Sequence, residues 1–197
     1  MTVELPRTGP LHGWSEHFAD LPDGVQIMAE PFVAMADLRV APTGPAADAV
    51  AAHLGVALPT RPSWVEGDTA RVIWLGPDEW LVTSPFHSPV DLEAGLRTAV
   101  GAAGVVVDVS AQRTTLRLRG EHVRDVLATG CAIDLHPRTF PAGSAAQTTL
   151  GLAGVVLLAL DDGVDGGATH YQLLVRSSFA RYLATWLLDA ATEFRGA

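Results

Sequence analysis

The order in which strand-type and helix-type runs succeed one another constrains this chain more than any single motif. Residues 32–40 alternate as a strand does, and Gly44-Pro45 opens a helical stretch through Leu54 that Gly55 closes and Pro59 stops. Residues 69–75 (TARVIWL) are β-branched and aromatic, Gly76-Pro77-Asp78 marks a turn, and residues 79–84 (EWLVTS) return as a second strand. Ser88 caps a helix beginning at Pro89, with Leu92, Leu96, Ala99 and Val100 on one face, and Gly101 and Gly104 end it. The run 105–109 (VVVDV) closes the series as a strand expected to be covered on both faces. The resulting order, β-α-β-β-α-β, is the split βαβ pattern of a ferredoxin-like unit.

The pattern then restarts. Residues 114–119 (TTLRLR) alternate cleanly, residues 120–129 form a short helix with Val123, Val126 and Leu127 inward, and Gly130 stops it before a loop at 131–143. Three strand candidates, 145–150, 155–160 and 170–175, precede a final helix from Ser177 or Ser178 to Thr192, with Phe179, Tyr182, Leu183, Trp186, Leu187 and Ala190 as its apolar face. Leu38-Arg39-Val40 and Leu116-Arg117-Leu118 open the two halves, and Leu92, Leu96 and Ala99 match Leu183, Leu187 and Ala190, which reads as an internal duplication. The expected fold class is therefore α+β, with two ferredoxin-like β-α-β-β-α-β units in tandem. Residues 31–110 form the first half and 111–197 the second, within one compact domain. Residues 1–30, with Pro6, Pro10 and Pro22, read as an extended N-terminal arm that ends in a short strand at 25–29 and wraps a neighbour.

Composition narrows the chemistry. All 13 basic residues are arginines, and without lysine there is no P-loop, no Schiff-base nucleophile and no pyridoxal phosphate anchor. The lone Cys131 allows no intrachain disulfide, no C-x-x-C pair and no multi-cysteine zinc site, and a cytoplasmic location is expected. Residues 1–14 lack the features of a secretory signal, and the longest apolar run, 152–160, falls far short of the ~20 residues that span a bilayer, so no membrane is expected. A formal net charge of -9 argues against nucleic acid as a partner, because phosphate backbones need compensating cations. At 48% hydrophobic and 18% charged, the chain is more apolar than an average soluble one with about 25% charged residues, and part of its surface is expected to face a partner protein.

Motif tests assign no catalytic, cofactor-binding or metal-ligating residue. His12, Glu16 and His17 (HGWSEH) miss the i, i+4 histidine spacing and the Glu position of H-E-x-x-H, and read as surface or interface residues. Asp161, Asp162 and Asp165 (DDGVDGG) resemble a calcium loop, but Gly163 and Gln172 stand where carboxylates are needed, so a hairpin turn is expected. Cys131, Asp134 and His136 crowd one short loop, whereas a cysteine nucleophile and its histidine base usually meet across a fold. Trp74, Trp80 and Trp186 lie in regular elements and are expected in the core. Three residues are left as candidates for subunit contact: Trp64, and Arg138 and Phe140 from the segment 136–143 (HPRTFPAG), which two prolines hold extended.

Four segments together resemble the γ subunit of heterotetrameric sarcosine oxidase: 75–82 (LGPDEWLV), 107–119 (VDVSAQRTTLRLR), 127–149 (LATGCAIDLHPRTFPAGSAAQTT) and 174–191 (LVRSSFARYLATWLLDAA). The run C-x-x-D-L-H-P-R-x-F-P-x-G-x-x-x-Q-T at 131–148 is the most specific of them, and the likeness extends across 25–195. The resemblance implies a fold like the N-terminal part of the glycine-cleavage T-protein folate-binding domain. It implies a non-catalytic assembly subunit without a cofactor of its own. FAD, FMN, NAD, tetrahydrofolate and zinc would belong to the alpha, beta and delta partner subunits, in a complex that oxidises sarcosine to glycine and passes the one-carbon unit to tetrahydrofolate. The other reading is a stand-alone folate-binding protein, either an aminomethyltransferase or an iron-sulfur assembly factor. Against it, Thr129-Gly130-Cys131-Ala132 lacks the lysine and tyrosine of the K-G-C-Y-x-G-Q motif, and no room is expected after Ala197 for a further barrel.

Overall fold

In a computed structural model that describes residues 7–163 and 168–195, turn and cap signals act where they stand. Ser88 accepts the Asp91 N–H and Pro89 fills the first turn of a helix spanning Pro89–Val100, while Pro45–Leu54 forms a helix that Gly55 ends at φ 71°. In chain order these are α3 and α2, after a short α1 at Ser15–Ala19 and strand β1 at Gln26–Glu30. Both pack on a five-stranded antiparallel sheet. Its order is β3 (Trp64–Glu66), β4 (Arg71–Gly76), β5 (Glu79–Ser84), β2 (Ala34–Val40), β6 (Gly104–Asp108). Val50, Leu54, Leu92 and Leu96 meet Leu38, Val72, Trp80, Val82 and Val106 there. Trp80 is fully buried and its indole N–H donates to the Pro59 carbonyl at 2.8 Å, so the ring can pack in the core without stranding its polar atom.

A second five-stranded antiparallel sheet follows, in the order β1, β7 (Arg113–Gly120), β10 (Thr169–Arg176), β9 (Ala153–Asp161), β8 (Ala145–Leu150). Helices α4 (Val123–Ala128) and α5 (Ala180–Ala190) cover its outer face, burying Val123, Val126, Leu127, Leu183 and Leu187 against Leu116, Leu118, Leu157, Tyr171 and Leu173.

The described part of the N-terminal segment, residues 7–30, packs onto the fold and does not reach away from it. Strand β1 pairs with β7 from Gln26↔Arg119 to Glu30↔Thr115, and Leu11, Phe18, Val25 and Ile27 are buried in the same core as α4 and α5. Those four apolar side chains are spaced too irregularly to show a period, yet together they seal the edge that β7 would otherwise leave open. The approach is tight: a Cβ on Gly120 would lie 1.8 Å from the Gly24 carbonyl oxygen. From residue 111 onward the chain supplies β-α-β-β-β-α, and the outer strand of this sheet comes from ahead of residue 31.

The sheets pack face to face through Met35, Ile73, Leu75 and Leu81 on one side and Ala145, Val156, Leu158 and Leu174 on the other. A bridge at Ser63↔Ser144 ties residues flanking β3 and β8. Along β1 runs a groove of about 1210 Å³, lined among others by Arg7, Met28, Phe32, Asp108 and Arg113. The valine run differs from expectation. Val106 is buried, but Val105 and Val107 are 57% and 47% exposed, because β6 is an edge strand and the face they share with Asp37 and Arg39 is uncovered there. On α5 the buried positions are Ala180, Leu183, Ala184 and Leu187, while Phe179 and Tyr182 lie at the surface. Among the described residues no helix is long and apolar enough to cross a membrane.

Candidate functional site

Trp64 lies on edge strand β3, half-buried, with its indole N–H donated to the Ala159 carbonyl at 2.9 Å and its backbone N–H to Gly143 at 3.0 Å. The ring therefore joins the two sheets. Arg71 stacks 4.4 Å above it and continues a polar chain between the layers. Arg71 donates to Glu66 at 2.8 Å and to Gln172 at 2.6 Å, and Gln172 donates to Glu30 at 2.6 Å, which pairs with Arg117 at 2.6 Å.

The segment 136–143 is turned rather than extended. The Asp134 carboxylate accepts the His136 N–H at 2.8 Å and the Thr139 hydroxyl at 3.1 Å, and those bonds hold its pKa below the usual carboxylate value. The Thr139 and Phe140 amides both donate to the His136 carbonyl. Closing that turn swings Phe140 inward, where it is only 6% exposed and packs in the same core as Leu135, so it presents no ring to a partner. Arg138 stays exposed. The expected core tryptophans divide: Trp80 is fully buried, whereas Trp74 and Trp186 are half-buried against the two helix-covered cores.

The other tested clusters do not assemble. Cys131 is half-buried with its amide on Leu127, and the His136 ring accepts from the Arg138 amide, with no hydrogen bond between the two side chains among the described residues. His12 and His17 are exposed, and His17 lies against Trp14 at 5.2 Å between ring centroids. Asp161 accepts the Gly163 amide at 3.0 Å, and Asp165 and Gly166 lie outside the described residues. Among the described residues no three histidine, cysteine, aspartate or glutamate side chains converge as metal ligands would.

Sequence reasoning missed β3, α1 and an arginine strip. On β7 the even positions Leu116 and Leu118 are buried toward the helices, so Arg113, Thr115, Arg117 and Arg119 project from the opposite face. The β10 register sets Arg176 across from Arg113 and His170 across from Arg119, and β1 sets Met28 across from Arg117. Burial, then the positive charges of Arg117 and Arg119, push the His170 pKa below its ordinary value; burial, then Arg176, does the same to Arg113. The signal was present in the alternation of TTLRLR, which marks the strand and its arginine face at once.

Two antiparallel sheets packed face to face, with helices on both outer faces, form a fold that this chain shares with an aminomethyltransferase. Glycine cleavage system aminomethyltransferase T from Bartonella henselae superposes with a TM-score of 0.62 at 15% identity, over 95% of this chain and 52% of that one. Closer likeness comes from one family. The model of the sarcosine oxidase gamma subunit family matches residues 39–193. Sarcosine oxidase subunit gamma of Corynebacterium sp. (strain U-96) is 37% identical over 169 residues, covering 84% of this chain and 78% of the relative. The Arthrobacter sp. subunit gamma is 37% identical over 166 residues, 83% and 78% of the two chains. In the solved structure of heterotetrameric sarcosine oxidase from Corynebacterium sp. U-96 with pyrrole 2-carboxylate, one chain matches with a TM-score of 0.86 at 33% identity over 97% of both chains. The chain belongs to the sarcosine oxidase gamma subunit family.

Proposed function

We propose that this chain is the non-catalytic assembly subunit of a cytoplasmic heterotetrameric oxidase that demethylates sarcosine to glycine and passes the one-carbon unit to tetrahydrofolate. The observation that carries the reading is the match along 97% of both this chain and a chain of a heterotetrameric sarcosine oxidase. Alpha, beta and delta subunits are the partners on this reading, and they carry FAD, FMN, NAD, tetrahydrofolate and zinc. What this chain supplies is a stiff two-sheet body whose exposed side chains, Arg138 among them, are free for contact.

The same proposal extends to the fold's internal architecture, two ferredoxin-like units. Support comes from the matching strand orders β6-β2-β5-β4 and β1-β7-β10-β9, with β3 and β8 as an added outer strand on each. In the second unit the fourth strand is β1, which lies before the first unit in the sequence.

Co-expression with the three partner subunits followed by size exclusion tests the function. The expected result is co-elution with flavin-containing oxidase; a chain that stays monomeric beside a fully assembled, active oxidase overturns it. The purified chain is expected to be colourless, and calorimetry that detects micromolar tetrahydrofolate binding would favour a stand-alone folate protein instead.

A further inference from the structure

We infer that the arginine strip on the inner face of β7 is the seat of an extended acidic segment contributed by a partner subunit. The inference rests on the assembly role proposed above and names the chemistry of one contact. Four arginines lie on one face of two paired strands in a chain of net charge -9, as two pairs, Arg113 with Arg176 and Arg117 with Arg119, on either side of the buried Thr115 and Leu174. Glu30 is the one carboxylate ion-paired to them among the described residues, and it reaches Arg117 alone. Asp37 and Glu79 of the first sheet act on Arg113 only through space, and Glu79 is itself paired with Arg39. Arg119 and Arg176 are exposed and have no ion-pair partner among the described residues. The Nε of Arg113 is buried without a hydrogen bond.

Like charges set side by side on one sheet face repel, and such an arrangement costs stability unless something negative covers it. The spacing selects the occupant. Alternate side chains along a strand lie about 7 Å apart, so Arg117 and Arg119 match carboxylates at alternate positions of a second extended chain laid over them. Planar guanidinium groups favour carboxylates through paired N–H donors. Next to the arginines, Met28 is 59% exposed on β1 and offers such a chain an apolar contact between its acidic residues.

The test measures association of the purified chain with the co-expressed partner subunits at low and high salt, for the unsubstituted chain, Arg119→Glu, Arg176→Glu and Arg97→Glu. Arg97 is exposed on α3, away from the strip, and controls for loss of any surface arginine. The expected result is association slowed about tenfold at low salt by Arg119→Glu and Arg176→Glu, a shallower salt dependence, and no effect of Arg97→Glu. Circular dichroism of each variant confirms that it is folded. Association of both strip variants at the unsubstituted rate and salt dependence overturns the inference while leaving the assembly role intact. An unsubstituted chain that fails to associate overturns both. Thermal stabilisation by millimolar inorganic phosphate that Arg119→Glu abolishes, with association unchanged, would reassign the strip to a small anion and also overturn it.

Discussion

Phe140 and Arg138 stand two residues apart and do opposite things. The ring is 6% exposed inside the core closed by α4 and α5, and the guanidinium is at the surface. Removing the ring leaves a cavity that the turn cannot collapse into, because the Asp134 and His136 hydrogen bonds hold the backbone in place. Phe140→Ala is therefore expected to cost about 3–5 kcal/mol in urea unfolding, and Arg138→Ala no more than about 0.5 kcal/mol. Equal costs for the two would show that the loop packs less firmly than its hydrogen bonds indicate.

At the level of elements, β1 shows what a five-residue strand contributes when only one of its faces is covered. Ile27 and Met28 are neighbours, but Ile27 is buried with Leu116 and Leu118 while Met28 points the other way and is 59% exposed. Ile27→Ala is expected to destabilise the chain by about 2–5 kcal/mol and Met28→Ala by less than about 0.5 kcal/mol, read from thermal melts. A reversed ranking would place β1 in a register shifted by one residue, which exchanges its faces. Most elements were legible in the sequence because local signals decide them: Ser88-Pro89 starts α3, and Gly55 stops α2. Strand β3 was not, since a three-residue strand carries no usable period and Trp64 is held by groups on β9 and on the loop before β8. Nor was the destination of β1, which depends on pairing with a strand far along the chain and leaves no local mark. Phe140 was misplaced for a related reason: two flanking prolines suggest an extended run, but the Asp134 side chain turns the backbone.

For the whole molecule, the chain path crosses between the layers more often than a simple tandem of halves allows. It lays down β1 in one sheet, builds the other from β2 to β6, and returns at β7. Met35, Ile73 and Leu81 then lock the layers through contact with Val156, Leu158 and Leu174. Neither sheet keeps its full complement of contacts if the other melts. Unfolding is accordingly expected to be a single transition, with tryptophan fluorescence, which samples Trp74 and Trp80 in one core and Trp14 and Trp186 beside the other, superimposable on far-ultraviolet circular dichroism. Two separated midpoints would mean that the halves are energetically independent.

The placement of β1 also sets a timetable for synthesis. Its partner strand begins at Arg113, so everything from Glu30 to Arg113 must leave the ribosome before the outer edge of the second sheet can form. At roughly 5 to 20 residues per second, β1 waits on the order of ten seconds for a neighbour, while β2 to β6 already have theirs. During that interval Leu11, Phe18, Val25 and Ile27 are apolar surface on a nascent chain, and a chaperone that shields residues 11–30 would raise the yield of folded protein.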